Sequence, residues 1–119
     1  MPKPNRGGRT AVKRLPNHKN AYIPKDKLKN YLLNPSKDPN KSKAFKALGY
    51  NMKNADRLEA DILDGLKHNS GATYKPNKFG TPAEVTMTLG ITKKVKVRTA
   101  WMYDKGSNKP RFITAYPAE

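Results

Sequence analysis

The chain has 119 residues, 35% of them hydrophobic, and a formal net charge of +16 from 25 Lys+Arg against 9 Asp+Glu. That length suits one domain with a modest core, and the lack of cysteine excludes a disulfide framework, a thiolate nucleophile and a cysteine-bound zinc. So large a positive excess repels itself, and a polyanion relieves it: nucleic acid first, an acidic protein second, an anionic membrane surface third. No apolar run approaches the ~20 residues of a membrane span, and no apolar segment follows the basic N-terminus as in a signal peptide.

Residues 1–20 carry six Lys/Arg, three prolines, two glycines and no acid. They show neither helical nor strand period, and predict a basic arm or linker ahead of a domain over 21–119. In "IPKDKLKNYLLNP", Leu28, Tyr31 and Leu32 have the spacing of a short amphipathic helix, with Pro24 in its first turn and Asn34-Pro35 as its stop. "KSKAFKALGY" puts Ala44, Phe45 and Leu48 on one helical face, with Gly49 as the C-terminal cap. "NMKNADRLEADILDGLKHN" is the strongest helix, with Ala55, Leu58, Ile62 and Leu66 as its apolar stripe.

After His68 the period becomes two. A weak strand is expected near Tyr74. In "AEVTMTLGI", Val85, Met87, Leu89 and Ile91 share one face, with Glu84, Thr86 and Thr88 on the other. In "VKVRTAWMY", Val95, Val97, Thr99, Trp101 and Tyr103 alternate with Lys94, Lys96, Arg98 and Ala100. "DKGSNKP" is a turn and "RFITAY" a last strand, on which Phe112, Thr114 and Tyr116 share a face and Arg111 lies opposite unless a bulge re-aims it. The fold class expected is α+β: three N-terminal helices on one face of an antiparallel sheet of about four strands.

A two-metal nuclease needs clustered carboxylates. The one cluster, Asp56, Glu59, Asp61 and Asp64, lies opposite the stripe of the third helix among Arg57 and Lys67, as on a solvated helix face. No metal and no cofactor is expected, and no glycine-rich phosphate loop follows a strand. His18 and His68 fall in the arm and after the helix, a poor setting for an acid–base pair. What remains is cationic and hydroxylic: Lys94, Lys96 and Arg98 from one strand, Arg111, Thr114 and Tyr116 from the last. Such a set suits a phosphodiester, since cations stabilise the charge that builds on phosphorus and a ribose 2′-hydroxyl supplies the nucleophile. The plain alternative is a basic, solvated sheet face. Trp101 and Tyr103 fall with the valines and are expected in the core rather than stacked on bases.

Five segments in order carry a resemblance: "KLKNYLLNP" (Lys27 to Pro35), "KAFKALGY" (Lys43 to Tyr50), "FGT" (Phe79 to Thr81), "VRTAW" (Val97 to Trp101) and "PRFITAYP" (Pro110 to Pro117). The chain resembles an uncharacterised domain family at the C-termini of bacterial polymorphic toxins and in phage-associated proteins. Its layout is similar to the barnase/EndoU/colicin/RelE-like group of toxin ribonucleases. The resemblance implies metal-independent RNA cleavage to a 2′,3′-cyclic phosphate, with tRNA as substrate and an acidic immunity protein as partner. It implies a secreted effector, monomeric when free, that acts in the cytoplasm of a target bacterium. Arg98, Arg111, Thr99, Thr114 and Tyr116 become the expected catalytic residues, and Lys27, Lys43, Lys94 and Lys96 the expected substrate contacts. The absence of a sheet histidine departs from the barnase-type acid–base pair and leaves the base open. Two other readings use the same charge without chemistry: a nucleic-acid-binding module, and an adaptor for an acidic protein.

Overall fold

The structure, a computed structural model, describes residues 9–117. It is α+β, with a five-stranded antiparallel sheet in the order β1-β2-β3-β4-β5. The strands are β1 (Thr10–Val12), β2 (Gly71–Thr73), β3 (Gly80–Leu89), β4 (Val95–Asp104) and β5 (Pro110–Pro117). Two α-helices, α1 (Pro39–Ala47) and α2 (Ala55–His68), stand between β1 and β2.

Local chemistry starts and stops each helix. The Asp38 carboxylate accepts from the Lys41 backbone N–H at 3.1 Å, and Pro39 occupies the first turn of α1. After α1 the chain turns at Gly49, whose φ of +100° strains any side-chain-bearing residue. Before α2, Asn51 and Asn54 cap one another reciprocally: the Asn51 side chain accepts from the Asn54 N–H, and the Asn54 side chain accepts from the Asn51 N–H.

The segment Leu28–Leu32 corrects the sequence expectation. It is one π-type turn, closed by the Leu33 N–H donating to the Leu28 carbonyl at 2.8 Å. The wider turn buries Leu33 with Leu28 and Leu32, and leaves Tyr31 exposed.

The expected arm is also corrected where it is described. Thr10–Val12 pairs with β2, Leu15 is buried in the core, and the Tyr103 hydroxyl donates to the Pro16 carbonyl at 2.7 Å. A single buried leucine and an edge strand are too short to register as a period, yet they tie these residues to the domain. Residues 1–8 of the expected arm lie outside the described residues. At the opposite edge, the Tyr22 N–H donates to the Pro110 carbonyl and the Tyr22 carbonyl accepts from Phe112, which covers part of β5.

The core forms where the two periods meet. Leu58, Ile62 and Leu66 of α2 are buried in one cluster with Val85, Met87 and Leu89 of β3, as their spacing predicts. Gly65 allows the approach, because a Cβ there would meet Met87 Sδ. Ile91 lies beyond the strand and is exposed. Replacing Ile62 by alanine should cost about 2–5 kcal/mol, read by denaturant unfolding, because nothing nearby can collapse into the space of a fully buried side chain.

Two buried tyrosines tie loops to this core. The Tyr50 hydroxyl donates to Asp61 Oδ2 at 2.7 Å and accepts from the Gly90 N–H at 3.0 Å. Burial first, and then the Asp61 hydrogen bond and charge, push Tyr50 up to about 12; burial alone does the same for Tyr103. A phenol whose folded value is raised stabilises the fold fully below its ordinary value near 10 and loses that contribution as pH climbs towards 12. Melting temperature should therefore fall across that window, and Tyr50→Phe should flatten the fall. An unchanged slope in the variant would show that Tyr50 ionises as freely folded as unfolded.

Candidate active site on the open sheet face

The sheet has one face on the helices and one open. Alternation sends Val97, Thr99, Trp101 and Tyr103 of β4 to the buried side, and Lys96, Arg98, Ala100 and Met102 to the open side. On β5 the alternation breaks. Trp101 pairs with Phe112 and Ala100 with Thr114, so Ile113 is an extra residue between them. The bulge reverses parity: Phe112 and Ala115 face the core, while Arg111, Thr114 and Tyr116 all face outward. Phe112 thus does not share a face with Thr114 and Tyr116, as simple alternation had suggested.

Around this bulge a polar cluster forms. Arg98 pairs in register with Tyr116 on one side and Thr86 on the other. Its guanidinium lies 5.8 Å from the centre of the Tyr116 ring. Its Nε is 3.6 Å from Glu84 Oε2, an ion-pair distance but too long for a hydrogen bond. The Tyr74 hydroxyl donates to the other carboxylate oxygen, Glu84 Oε1, at 3.3 Å. From α1, Lys41 Nζ donates to Thr114 Oγ1 at 2.9 Å, lies 5.8 Å from the same Tyr116 ring centre, and is 3.8 Å from Asp38. Two cations therefore flank one phenol.

The electrostatics follow from these contacts. The Tyr116 phenol oxygen and then the Glu84 carboxylate raise the Arg98 guanidinium above its ordinary value, so its charge is permanent. Partial burial and then the Glu84 charge raise Tyr74, which stays a neutral donor. Arg98 Nε is the exception in an otherwise satisfied cluster: it is shielded from solvent and finds no acceptor among the described residues. A shielded donor without an acceptor costs free energy, and such atoms gather at working sites.

The other expected residues fall elsewhere. Thr99 is fully buried: its hydroxyl donates to the Val85 carbonyl at 2.7 Å and accepts from Trp101 Nε1 at 2.8 Å. It is a core hydrogen-bond hub on the face away from the cluster, which corrects its expected catalytic place. Arg111 faces outward but forms a two-pronged pair with Asp104, both bonds 2.9 Å. That pair occupies the fork a phosphate would need, and the Arg111 hydrogen bond holds the Asp104 carboxyl below its ordinary value. Lys94 precedes β4 and donates to the Gly90 carbonyl at 3.1 Å, so it belongs to the turn and not to the strand face. Lys96 does lie exposed on the open face, opposite Thr88.

Lys27 packs over the Tyr31 ring at 5.7 Å, on the helical side. Lys43 lines an apolar groove of about 590 Å³ with Lys46, Tyr50 and Met52. At 100° per residue, Lys41 and Lys43 leave α1 in nearly opposite directions, and it is Lys41 that reaches the sheet. Trp101 and Tyr103 are core residues, Trp101 edge-on to Phe112 at 5.4 Å. His68 ends α2 beside Asp64 at 3.7 Å and does not belong to the cluster.

Glu84, Lys41 and Tyr74 were not singled out by sequence reasoning. One signal was present for Glu84: it is the one acid in the run "AEVTMTLGI" and faces the same way as the threonines. Among the described residues, no group of three or more His, Asp or Glu side chains lies together as a metal site would require, and no helix is long and apolar enough to cross a membrane.

The family model described as "Domain of unknown function (DUF6883)" matches residues 14–119. No curated protein and no solved structure matches the chain.

Proposed function

The chain belongs to the DUF6883 family, and we propose that it is an endoribonuclease whose active site is the open face of the sheet. The observation that carries the reading is Arg98 Nε, a shielded and unpaired donor beside a carboxylate and a phenol. A phosphate oxygen is the acceptor that would satisfy it and the charge that would match it.

Glu84 acts as the general base and takes the proton from the ribose 2′-hydroxyl. The 2′-oxygen attacks the adjacent phosphorus, and the bond to the 5′-oxygen breaks. Tyr116 gives its proton to the departing oxygen, and Arg98 and Lys41, flanking its ring, stabilise the phenolate left behind. The same two cations offset the charge on phosphorus in the transition state. Thr114, held by Lys41, orients a phosphate oxygen. The products are a 2′,3′-cyclic phosphate and a 5′-hydroxyl, with solvent returning the protons. The 2′-hydroxyl as nucleophile restricts the substrate to RNA, with unpaired loops such as those of tRNA as first candidates.

The resemblance to polymorphic-toxin domains extends this reading to a toxin effector, and the net charge of +16 fits an acidic immunity partner. The test is incubation of the purified protein with total RNA in EDTA. Discrete fragments ending in cyclic phosphate are expected. Binding without cleavage would leave a nucleic-acid-binding module in its place.

A further inference from the structure

We propose that the N-terminal strand completes the substrate site, forming with β2 and β3 a second subsite that holds the single-stranded RNA backbone on one side of Glu84. The inference rests on the reading of the open face as an RNA site, and it adds to that face a segment beyond the five resembling stretches.

A groove of about 440 Å³ runs along β1, β2 and β3 and includes Glu84 itself in its wall. Its cations are Arg9 and Lys13, and its other polar walls are Ser70 and Thr86. Arg9, Ala11 and Lys13 alternate along β1, so all three point to one side of the strand. The register shows which side. Ala11 pairs with Ala72, Ala72 with Glu84, Glu84 with Ala100, and Ala100 with Thr114. Paired residues share a face, so Arg9 and Lys13 stand on the open face with Glu84 and Thr114.

That rank crosses all five strands, with Glu84 in the middle. Four strand spacings of about 4.8 Å make it roughly 19 Å long. A dinucleotide, at ~3.4 Å per nucleotide, covers less than half of it. The alanines on either side of Glu84 keep the floor low, and cations stand at both ends: Lys41 beside Thr114, and Arg9 and Lys13 beside Ala11. Neither Arg9 nor Lys13 has an ion-pair partner among the described residues, and the Arg9 charge reaches as far as Tyr74, the donor to Glu84. A strand bound at the Arg98 phosphate site and continuing past Glu84 would meet these two cations next.

The experiment measures binding of 2′-fluoro hexauridylate, which lacks the nucleophile, and of the 2′-fluoro dinucleotide, across a salt series. Two pairs of substitutions remove the same charge: Arg9→Ala with Lys13→Ala, and Lys105→Ala with Lys109→Ala in the β4–β5 turn. In the first pair the salt slope for the hexamer should fall by about two, one per lost phosphate contact, while dinucleotide binding stays as in the parent. The turn pair should keep the parent slope. Equal slopes in the parent and the first pair, or equal losses in both pairs, would overturn the subsite. Cleavage of unmodified RNA by the parent is scored separately. Its absence, with the slope change intact, would overturn the catalytic reading and leave the subsite standing.

Discussion

Glu84→Gln should lower the single-turnover rate of RNA cleavage by about 10²–10⁴-fold, the range for loss of a general base. Glutamine keeps the size of the side chain and an oxygen that accepts from Tyr74, so that hydrogen bond survives. What goes is the negative charge and the ability to take a proton. The Glu84–Arg98 pair is partly exposed, with 30% and 44% of the two side chains accessible, and such pairs contribute little to stability. Melting temperature should therefore stay within a few degrees of the parent. A folded variant that cleaves at the parental rate would remove Glu84 from the mechanism and return the base to an open question.

The second large effect separates two arginines that the sequence presents alike. Arg98→Lys should slow cleavage by about 10²–10³-fold, the range for losing one transition-state donor. Lysine keeps the charge but carries no Nε at that depth and no planar fork. Arg111→Ala should leave the rate nearly unchanged, because Arg111 already spends both prongs on Asp104. Its loss should show as a stability change of about 0.2–1 kcal/mol, typical of a partly exposed pair. Measured side by side on one RNA, with circular dichroism as the folding control, the two variants should differ in rate by at least tenfold. Equal losses would mean that the Asp104 pair opens to admit substrate, and equal retention would move the site off β4.

The contrast between those arginines shows where local pattern ends. Arg98 and Arg111 have the same chemistry and similar strand neighbours. Period two places Arg98 correctly, because β4 is regular over its full length. It misplaces Thr114 and Tyr116 relative to Phe112, because Ile113 is an extra residue whose presence depends on pairing with β4. It says nothing of Asp104, seven residues away across the turn, which claims Arg111. The lysines of α1 repeat the lesson. Spacing shows that Lys41 and Lys43 diverge, but not which of them meets the sheet.

By itself the sequence determined the α+β class, the buried stripe of α2, the core sides of β3 and β4, and a charge that calls for a polyanion. Each of these is a local or summed property: periodicity follows from backbone geometry over a few residues, and net charge needs no structure at all. Only the tertiary structure decided that Glu84, Arg98, Tyr116, Thr114 and Lys41 form one cluster, that Thr99 is a core hub, and that Thr10–Val12 is a strand. These depend on register between segments as far apart as Thr10 and Thr73, or Lys41 and Thr114. Register is set by pairing and packing over the whole chain, and a one-residue bulge at Ile113 is enough to turn the open face into a site.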